Sequence, residues 1–378
     1  HRQGAVPQAC LSEALPNLSI TPGKDPRASM IDNPYYSQDN HGPWQVFDAG
    51  DLALEAGGVL HDLKLAYAVH GTLNAARDNA ILVPTWYSGT SKVMEQLFIG
   101  TGRALDPARW CIIVVNQIGN GISSSPHNTA GAQAMAKFPR INIGDDVRAQ
   151  HKLVTEVFGI ERLALVFGGS MGAQQTYDWA VRYPDMVARA APLAGYARNT
   201  DHDKLFVQTL MEAITSDPGF NGGNYGSHQE VAAGLARHAK LWSVMGWSTE
   251  FFAEEAWRGF NFKSVEEFQA KFMDPFFTPL DPNSLLVMAR KWHDGDVTRM
   301  TGGDLAAALG RIKARTFVMP IDSDMFFRVA DCAREQQLIP RSEFRPLHSL
   351  GGHLGLFGFE PAFLAALDAN LNDLLALD

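Results

Sequence analysis

The sequence predicts an α/β protein in which helices cover both faces of a mostly parallel β-sheet. From about residue 60 onward, short β-branched runs alternate with segments of helical spacing. Strand, helix, strand repetition of this kind is typical of parallel sheets covered on both faces. The chain has 378 residues, of which 46% are hydrophobic and 19% charged, so it can bury at least one large core.

The predicted strands are short and largely β-branched. They extend from Leu63 to Ala68, Ile81 to Pro84, Cys111 to Asn116, Leu163 to Phe167, Val187 to Leu193, Thr316 to Pro320 and Phe344 to Leu347. Helical patterns lie between them, and one of these carries apolar residues from Val147 to Phe158. Gly159 follows that pattern directly, which predicts a helix that ends shortly before the next strand.

The alternation stops between residues 198 and 305, where no strand-like run appears and aromatic residues are frequent. We interpret this segment as a helical cap on a core formed by residues 30–197 and 306–378. For most of the rings the simplest interpretation is packing inside the helical layer. Residues 1–29 precede the first methionine and do not resemble a secretory signal, so we expect an N-terminal extension or a segment that is not native.

Composition excludes several classes of function. Lys and Arg number 32 against 41 Asp and Glu, which gives a formal charge of -9 and no basic stripe for nucleic acid. No apolar run approaches the length of a membrane span. Cys10, Cys111 and Cys332 are too few for a disulfide framework, which favours the cytoplasm. Metal-ligand spacings, a phosphate-loop lysine and a dinucleotide motif are not found, so we expect no metal and no cofactor.

The strongest functional signal is the segment from Gly168 to Gly172, which places Ser170 in a Gly-x-Ser-x-Gly motif between a strand and a helix. That order suits a nucleophilic serine on a sharp turn, because the flanking glycines let strand and helix approach closely. The helix that follows also brings free backbone N–H groups beside developing negative charge. Ser170 is therefore the predicted nucleophile of an α/β-hydrolase fold.

A serine nucleophile needs a base, and in this fold the order along the chain is serine, acid, histidine. Three histidines follow at useful positions: His293, His348 and His353. We favour His353, because its glycine-rich loop after the last strand lets an imidazole reach back over the sheet. His348 at the end of that strand is the alternative.

The acid is expected after the preceding strand, where Asp322 and Asp324 stand. We favour Asp324, because Asp322 can instead satisfy backbone donors of the loop. One oxyanion-hole donor should be the N–H of Met171. The other should come from the loop after the second predicted strand, where we favour Tyr87. Trp86, beside it, is a predicted substrate-binding residue.

The sequence resembles the homoserine O-acetyltransferase family of α/β-hydrolases from about residue 60 to the C-terminus. The matching segments are Gly168 to Gly172 with Trp179-Ala180 and Tyr183-Pro184, Phe138-Pro139, Asp146 to Gln150, Asp217 to Tyr225, and Ile321 to Asp324. The resemblance implies Ser170 as nucleophile, Asp324 as acid and His353 as base, in agreement with the chain order. We expect Tyr225, in the matching cap segment, to bind substrate together with Trp86.

Two departures from that family bear on activity. Its acetyltransferases usually carry an acid directly after the catalytic histidine, where this chain has Leu354, and an arginine in the cap where it reads Val265 to Lys271. An amino-acid acceptor needs such charged partners. The chain is also similar to acetate-ester hydrolases of the same type, such as that of bacterial methyl-ketone degradation.

We therefore expect a serine esterase that hydrolyses short-chain carboxylic esters, with acetate as the acyl group, through an acyl-serine intermediate. A homoserine O-acetyltransferase that uses acetyl-CoA is the alternative. A non-catalytic binding module would require a broken triad, whereas each member here has a candidate. The partners expected are a small ester and, through the aromatic-rich cap, a second copy of the chain in a homodimer.

Overall fold

The computed structural model describes residues 30–378, so the predicted N-terminal extension lies outside the described residues. Within them an eight-stranded sheet has the order β1-β2-β4-β3-β5-β6-β7-β8. The strands are β1 Gln45–Ala53, β2 Val59–His70, β3 Ala80–Pro84, β4 Cys111–Val115, β5 Leu165–Gly169, β6 Arg189–Leu193, β7 Arg315–Val318 and β8 Ser342–Phe344. β1 pairs antiparallel with β2 and β2 antiparallel with β4, whereas the other pairs are parallel. The predicted α/β class is confirmed.

The helices connect these strands in sequence. They are α1 Gln38–His41, α2 Ser91–Phe98, α3 Ile143–Glu156, α4 Met171–Arg182, α5 Asp201–Thr215, α6 Ala232–Gly246, α7 Thr249–Ala253, α8 Val265–Phe268, α9 Asp274–Phe277, α10 Pro282–His293, α11 Leu305–Gly310, α12 Val329–Gln336 and α13 Pro361–Leu375. None of the helices between residues 30 and 378 combines the length and the apolar character that a bilayer crossing requires.

Alternate residues of the central strands supply two separate cores. Ile81 and Val83 of β3 pack in one core with apolar residues of α2 and α13, whereas Leu82 packs in the other core with residues of α3 and α4. Every residue of β3, β4 and β5 is buried. Strands buried on both faces need apolar residues at every position, which is why these three runs were recognisable in the sequence.

The largest differences from the predicted strands concern β1 and β8. β1 was not predicted, because it is a half-exposed edge strand with only Ala49 buried, and its polar residues give no apolar run. β8 ends at Phe344, where the predicted strand begins. Leu347 instead forms an isolated bridge to Ile321, so the backbone still continues along the sheet beyond the regular strand.

Between β6 and β7 the described chain contains helices and no strand, and we refer to residues 198–305 as the cap. Its aromatic rings largely pack on one another, and the buried ones include Trp242, Trp247, Phe251, Trp257, Phe268 and Phe277. The homodimer prediction assumes that the cap has more apolar side chains than it can bury by itself. The cap in fact buries many of its aromatic side chains. The homodimer itself stays a prediction.

A buried ion pair joins the cap to the core. Lys291 of α10 and Asp146 of α3 have fully buried side chains, and their Nζ and Oδ2 atoms lie 2.6 Å apart. Lys291 Nζ also donates to the carbonyl oxygen of Ile118 at 2.7 Å and to Gln117 Oε1 at 3.0 Å. Burial lowers the pKa of Lys291 and raises that of Asp146, while the opposite charge of each partner counteracts the shift. All three protons of the ammonium group are thus used.

We predict that Lys291→Met lowers the free energy of unfolding by about 3–5 kcal/mol, because it leaves the Asp146 carboxylate buried without its counter-charge. Urea denaturation followed by circular dichroism measures the change. The variant Lys291→Met/Asp146→Leu, which removes both charges, should recover most of the loss. A single variant as stable as the original protein would contradict the prediction.

Candidate active site

Ser170 lies at the turn between β5 and α4 with φ 56° and ψ −121°. Positive φ at a residue other than glycine costs about 1–3 kcal/mol, so the surrounding structure must hold this conformation in place. The N–H of Ser170 donates to the carbonyl of Leu193 on β6 at 2.9 Å. Gly168 and Gly172 permit the turn, because a Cβ on Gly168 would collide with the backbone of Gly172 and one on Gly172 would lie 2.8 Å from the carbonyl oxygen of Pro84.

The structure brings Ser170, His353 and Asp324 into one hydrogen-bonded chain. His353 Nε2 lies 3.0 Å from Ser170 Oγ, and His353 Nδ1 lies 2.6 Å from Asp324 Oδ2. The second carboxylate oxygen of Asp324 accepts from the N–H groups of Phe326 and Phe327 at 3.1 and 3.0 Å. The side chains of Ser170, His353 and Asp324 are all buried. The arrangement fixes the imidazole with one nitrogen directed at the hydroxyl and the other at the acid.

A second histidine–aspartate pair lies in the same two loops but faces solvent. His348 Nδ1 lies 2.6 Å from Asp322 Oδ2, and the side chain of His348 is 85% exposed. The hydrogen bond to Asp322 raises the pKa of His348. Asp322 also accepts from the N–H of Ser349 at 3.1 Å, the loop role that the sequence argument allowed for it. The structure therefore does not bring this pair to Ser170.

His293, the third candidate base, is also separate from Ser170. It ends α10 in the cap, where its Nδ1 lies 3.0 Å from Asp294 Oδ1. His293 also lies near Gln208 Nε2, at 3.3 Å, and makes no hydrogen bond to Ser170 in the described structure.

Both predicted oxyanion-hole donors lie near Ser170, Met171 as the next residue in the chain and Tyr87 as part of the same cavity lining. Met171 is the first residue of α4, so its N–H has no partner within the helix. Tyr87 stands in the loop after β3 and lines the same cavity as Ser170. Neither N–H has a hydrogen-bond partner among the residues that the structure describes. Both are thus free to donate to an oxygen that carries developing charge.

The start of the Tyr87 loop is fixed from the core. The carbonyl oxygen of Thr85 accepts from Gln117 Nε2 at 2.6 Å and from Gln175 Nε2 at 3.1 Å. Gln175 belongs to α4 and also donates to the carbonyl of Met171 at 3.1 Å. The same two elements that carry the predicted donors are therefore tied together behind the site.

A cavity with an almost entirely apolar lining lies beside Ser170. It is lined by Trp86, Tyr87, Ser88, Ser170, Trp242, Trp247, Phe272, Met273, Phe276, Phe277, His353, Leu354, Leu356, Phe357 and Phe359. Apart from His353, none of the lining residues in the described chain is acidic or basic. Such a cavity suits a small uncharged ligand.

Of the two predicted substrate-binding residues, Trp86 lines this cavity and Tyr225 does not. The Tyr225 hydroxyl donates to Asp281 Oδ2 at 2.8 Å and accepts from the N–H of Asn283 at 2.9 Å. These bonds fasten a cap loop to the start of α10, so the predicted substrate-binding role of Tyr225 has no geometric basis. The apolar wall from the cap, including Phe276 and Phe277, was not assigned to the site, because its rings could not be told from core rings by spacing.

No acidic or basic side chain of the cap lines this cavity in the described structure. Lys271 of the cap pairs with Glu267 at 2.7 Å, and neither Lys271 nor the cap residue Arg290 lines the cavity. Within residues 30–378 no three His, Cys, Asp or Glu side chains are grouped so that they could hold a metal ion.

The family follows from this architecture and from a sequence comparison. A family model described as the alpha/beta hydrolase fold matches residues 81–358, which is more than half of the chain. The chain belongs to the α/β-hydrolase family. This α/β-hydrolase is 62% identical to ethyl acetate hydrolase of Pseudomonas veronii over 344 residues, which cover 91% of this chain and 99% of the relative.

Two further relatives allow a comparison of ester hydrolases with acetyltransferases. The crystal structure of an acetylester hydrolase from Corynebacterium glutamicum has a TM-score of 0.91 at 56% identity and covers 92% of this chain and 100% of that chain. Homoserine O-acetyltransferase of Caulobacter vibrioides is 31% identical over 365 residues, with 87% of this chain and 94% of the relative covered. The predicted resemblance is confirmed, and the two ester hydrolases are more similar to this α/β-hydrolase than that transferase is.

We predict that His353→Ala slows the modification of Ser170 by a fluorophosphonate about 10³- to 10⁴-fold, because the serine loses its base. His348→Ala is the matched control, since it removes an imidazole from a similar pair that faces solvent. Its labelling rate should stay near that of the original protein. Mass spectrometry of the labelled chain gives both rates, and equal loss in the two variants would contradict the assignment.

Proposed function

We propose that this α/β-hydrolase is a serine esterase that hydrolyses short-chain carboxylic esters, with acetate as the acyl group. The observation that carries the proposal is the hydrogen-bonded chain of Ser170, His353 and Asp324 at the wall of an apolar cavity. The similarity to ethyl acetate hydrolase and to an acetylester hydrolase supports it independently.

In the first half of the proposed reaction, Ser170 Oγ attacks the ester carbonyl carbon while its proton passes to His353 Nε2. Asp324 accepts the Nδ1–H of the imidazole and stabilises the imidazolium that forms. The N–H groups of Met171 and Tyr87 donate to the carbonyl oxygen as it becomes negative. The tetrahedral intermediate collapses when His353 gives its proton to the leaving alcohol, and the acyl group stays on Ser170.

In the second half, water takes the place of the alcohol. His353 Nε2 removes a proton from the water, whose oxygen attacks the acyl carbon. The same two N–H groups stabilise the second tetrahedral intermediate, and Ser170 regains its proton from His353 as acetate leaves. Both halves use one geometry, so no further catalytic group is needed.

The cavity favours esters of small neutral alcohols over homoserine as acyl acceptor. Homoserine carries an ammonium and a carboxylate, and burying either without a partner costs several kcal/mol. Leu354 lies beside His353 where an acid would stand in a transferase, and the cap cation Lys271 is exposed and already paired with Glu267. A neutral alcohol needs no charged partner.

The homodimer and the cytoplasmic location belong to the proposal as expectations from the sequence. Leu205, Val244 and Val265 of the cap are 62%, 60% and 40% exposed, which supports an apolar contact surface there. Light scattering across a range of concentrations should return twice the mass of the 41.4 kDa chain, and a constant monomer would contradict the dimer.

We predict that Ser170→Ala lowers kcat on ethyl acetate by about 10⁴-fold or more, because no other group forms the acyl-enzyme. The melting temperature should not fall, since the hydroxyl does not contribute to packing. Titration of released acetic acid measures the rate. Turnover close to that of the original enzyme would exclude serine catalysis.

We also predict that the acyl-enzyme transfers its acetyl group to water and not to homoserine. With homoserine at about 1 mM, the upper end of common KM values, acetate should remain the main product from an activated acetate ester. Chromatography separates acetate from O-acetylhomoserine. A majority of O-acetylhomoserine would favour the transferase alternative.

A further inference from the structure

A buried hydrogen bond connects the cap to residues 85–89 after β3, which we call the oxyanion loop. Tyr87 Oη lies 2.8 Å from Nε2 of His238, which belongs to α6 of the cap, and both side chains are buried. The two rings are stacked with centroids 5.8 Å apart. Trp242 and Trp292 pack on other sides of the tyrosine ring, at 5.6 and 5.7 Å. The side chain of Tyr87 is therefore enclosed, and one directional bond fixes its end.

This bond joins two neutral groups. Burial lowers the pKa of His238 to about 3, and burial raises that of Tyr87. His238 Nδ1 has no hydrogen-bond partner among residues 30–378. Whichever nitrogen carries the proton, the bond to Tyr87 is thus the one hydrogen bond of this imidazole within the described chain.

The backbone of the oxyanion loop is poorly anchored where Tyr87 stands. Thr85 is held at its carbonyl by two glutamine side chains, and the N–H of Gly89 closes a turn onto the carbonyl of Trp86 at 3.3 Å. Between these points the N–H groups of Trp86, Tyr87 and Ser88 have no hydrogen-bond partner in the described structure. The position of the Tyr87 N–H therefore depends on its side chain.

Helix α6 contacts the core through the hydrogen bond between His238 and Tyr87. Ser248, two residues after the end of α6, makes a second contact. Two other polar side chains of α6, Arg237 and Ser243, form hydrogen bonds within the cap. Ser248 Oγ donates to the carbonyl of Leu350, three residues before His353. One cap segment thus contacts both the loop of the predicted oxyanion donor and the loop of the predicted base.

We propose that His238 is a positioning residue for hydrolysis, which holds Tyr87 so that its backbone N–H points at the developing oxyanion. The inference rests on the proposed function and adds a residue that touches neither substrate nor reacting atoms. An oxyanion donor acts mainly in the transition state, so its misplacement should lower kcat and leave KM nearly unchanged. Complete loss of such a donor costs about 10²- to 10³-fold in kcat, and we expect a displaced donor to cost about 10- to 100-fold.

The test compares Tyr87→Phe, His238→Leu and the double variant on an activated acetate ester. Each single variant should lower kcat about 10- to 100-fold with KM changed by less than about 3-fold. The double variant should be no slower than the slower single variant, because both remove the same bond. His238→Gln, which keeps a hydrogen-bonding group near the position of Nε2, should recover most of the rate.

Two further measurements separate positioning from a general loss of structure. The inhibition constant of a trifluoromethyl ketone, whose adduct with Ser170 carries an oxyanion, should rise by the same factor as kcat falls. Ser243→Ala removes a hydrogen bond of α6 that stays within the cap, and its kcat should match that of the original enzyme. Tyr87→Phe removes a single oxygen, so it remains informative if His238→Leu does not fold.

The results that would overturn the inference are a kcat of Tyr87→Phe within about 2-fold of the original, or losses that multiply in the double variant. Failure of the proposed function would look different. In that case the original protein would not hydrolyse acetate esters, whereas the rate at which a fluorophosphonate labels Ser170 would still report on the oxyanion donors in each variant.

Discussion

The strained turn at Ser170 is the constraint on which the rest of the site depends. A serine at φ 56° can stand in the sharp turn after β5 only if strand and helix nearly touch, which is why Gly168 and Gly172 lie on either side. The same turn leaves the N–H of Met171 at the start of α4 without a partner in the helix. Nucleophile and oxyanion donor are thus two consequences of one backbone conformation.

The other groups reach this turn because parallel strands end at a common edge. The loop with Tyr87 follows β3, the loop with Asp324 follows β7, and the loop with His353 follows β8. The acid and base loops are bonded to each other, since Ser323 Oγ donates to the carbonyl of Ser349 and accepts from the N–H of Gly352. Hydrogen bonds within the protein thus hold the acid loop and the base loop against each other.

The sequence predicted the elements that strong local patterns encode. The buried strands and the turn at Ser170 have an apolar run and a glycine motif, and chain order with loop position was enough to prefer His353 and Asp324. The edge strand β1 has no such pattern, because its residues are half exposed. Tyr225 is the opposite case. A segment shared with the family indicated that it binds substrate, whereas its hydrogen bonds to Asp281 and Asn283 fasten a cap loop.

His238 illustrates a signal that the sequence holds but that spacing alone does not reveal. It precedes Trp242 by four residues, so both lie on one face of α6 and both contact Tyr87. Helical periodicity indicates that this face is buried, but it cannot say which loop of the core lies against it. Contacts between distant parts of the chain, such as Tyr87 with His238 at a separation of 151 residues, require the fold.

The positions of charged side chains in the cap also affect which acyl acceptor the cavity can hold. Its buried cation, Lys291, uses all three protons on Asp146, Ile118 and Gln117 behind the oxyanion loop, and so contributes no positive charge to the cavity. Gln117 in turn donates to Thr85, so the charge pair supports the loop that carries Tyr87.

Around Ser170 the described cap residues contribute aromatic rings and Met273, and no charged side chain. A charged acceptor would lose its hydration there and gain no partner, whereas a small neutral alcohol loses little on entry and water can replace it after acylation. The distribution of charge, with a satisfied ion pair outside the cavity and apolar walls within it, thus favours hydrolysis over transfer to an amino acid.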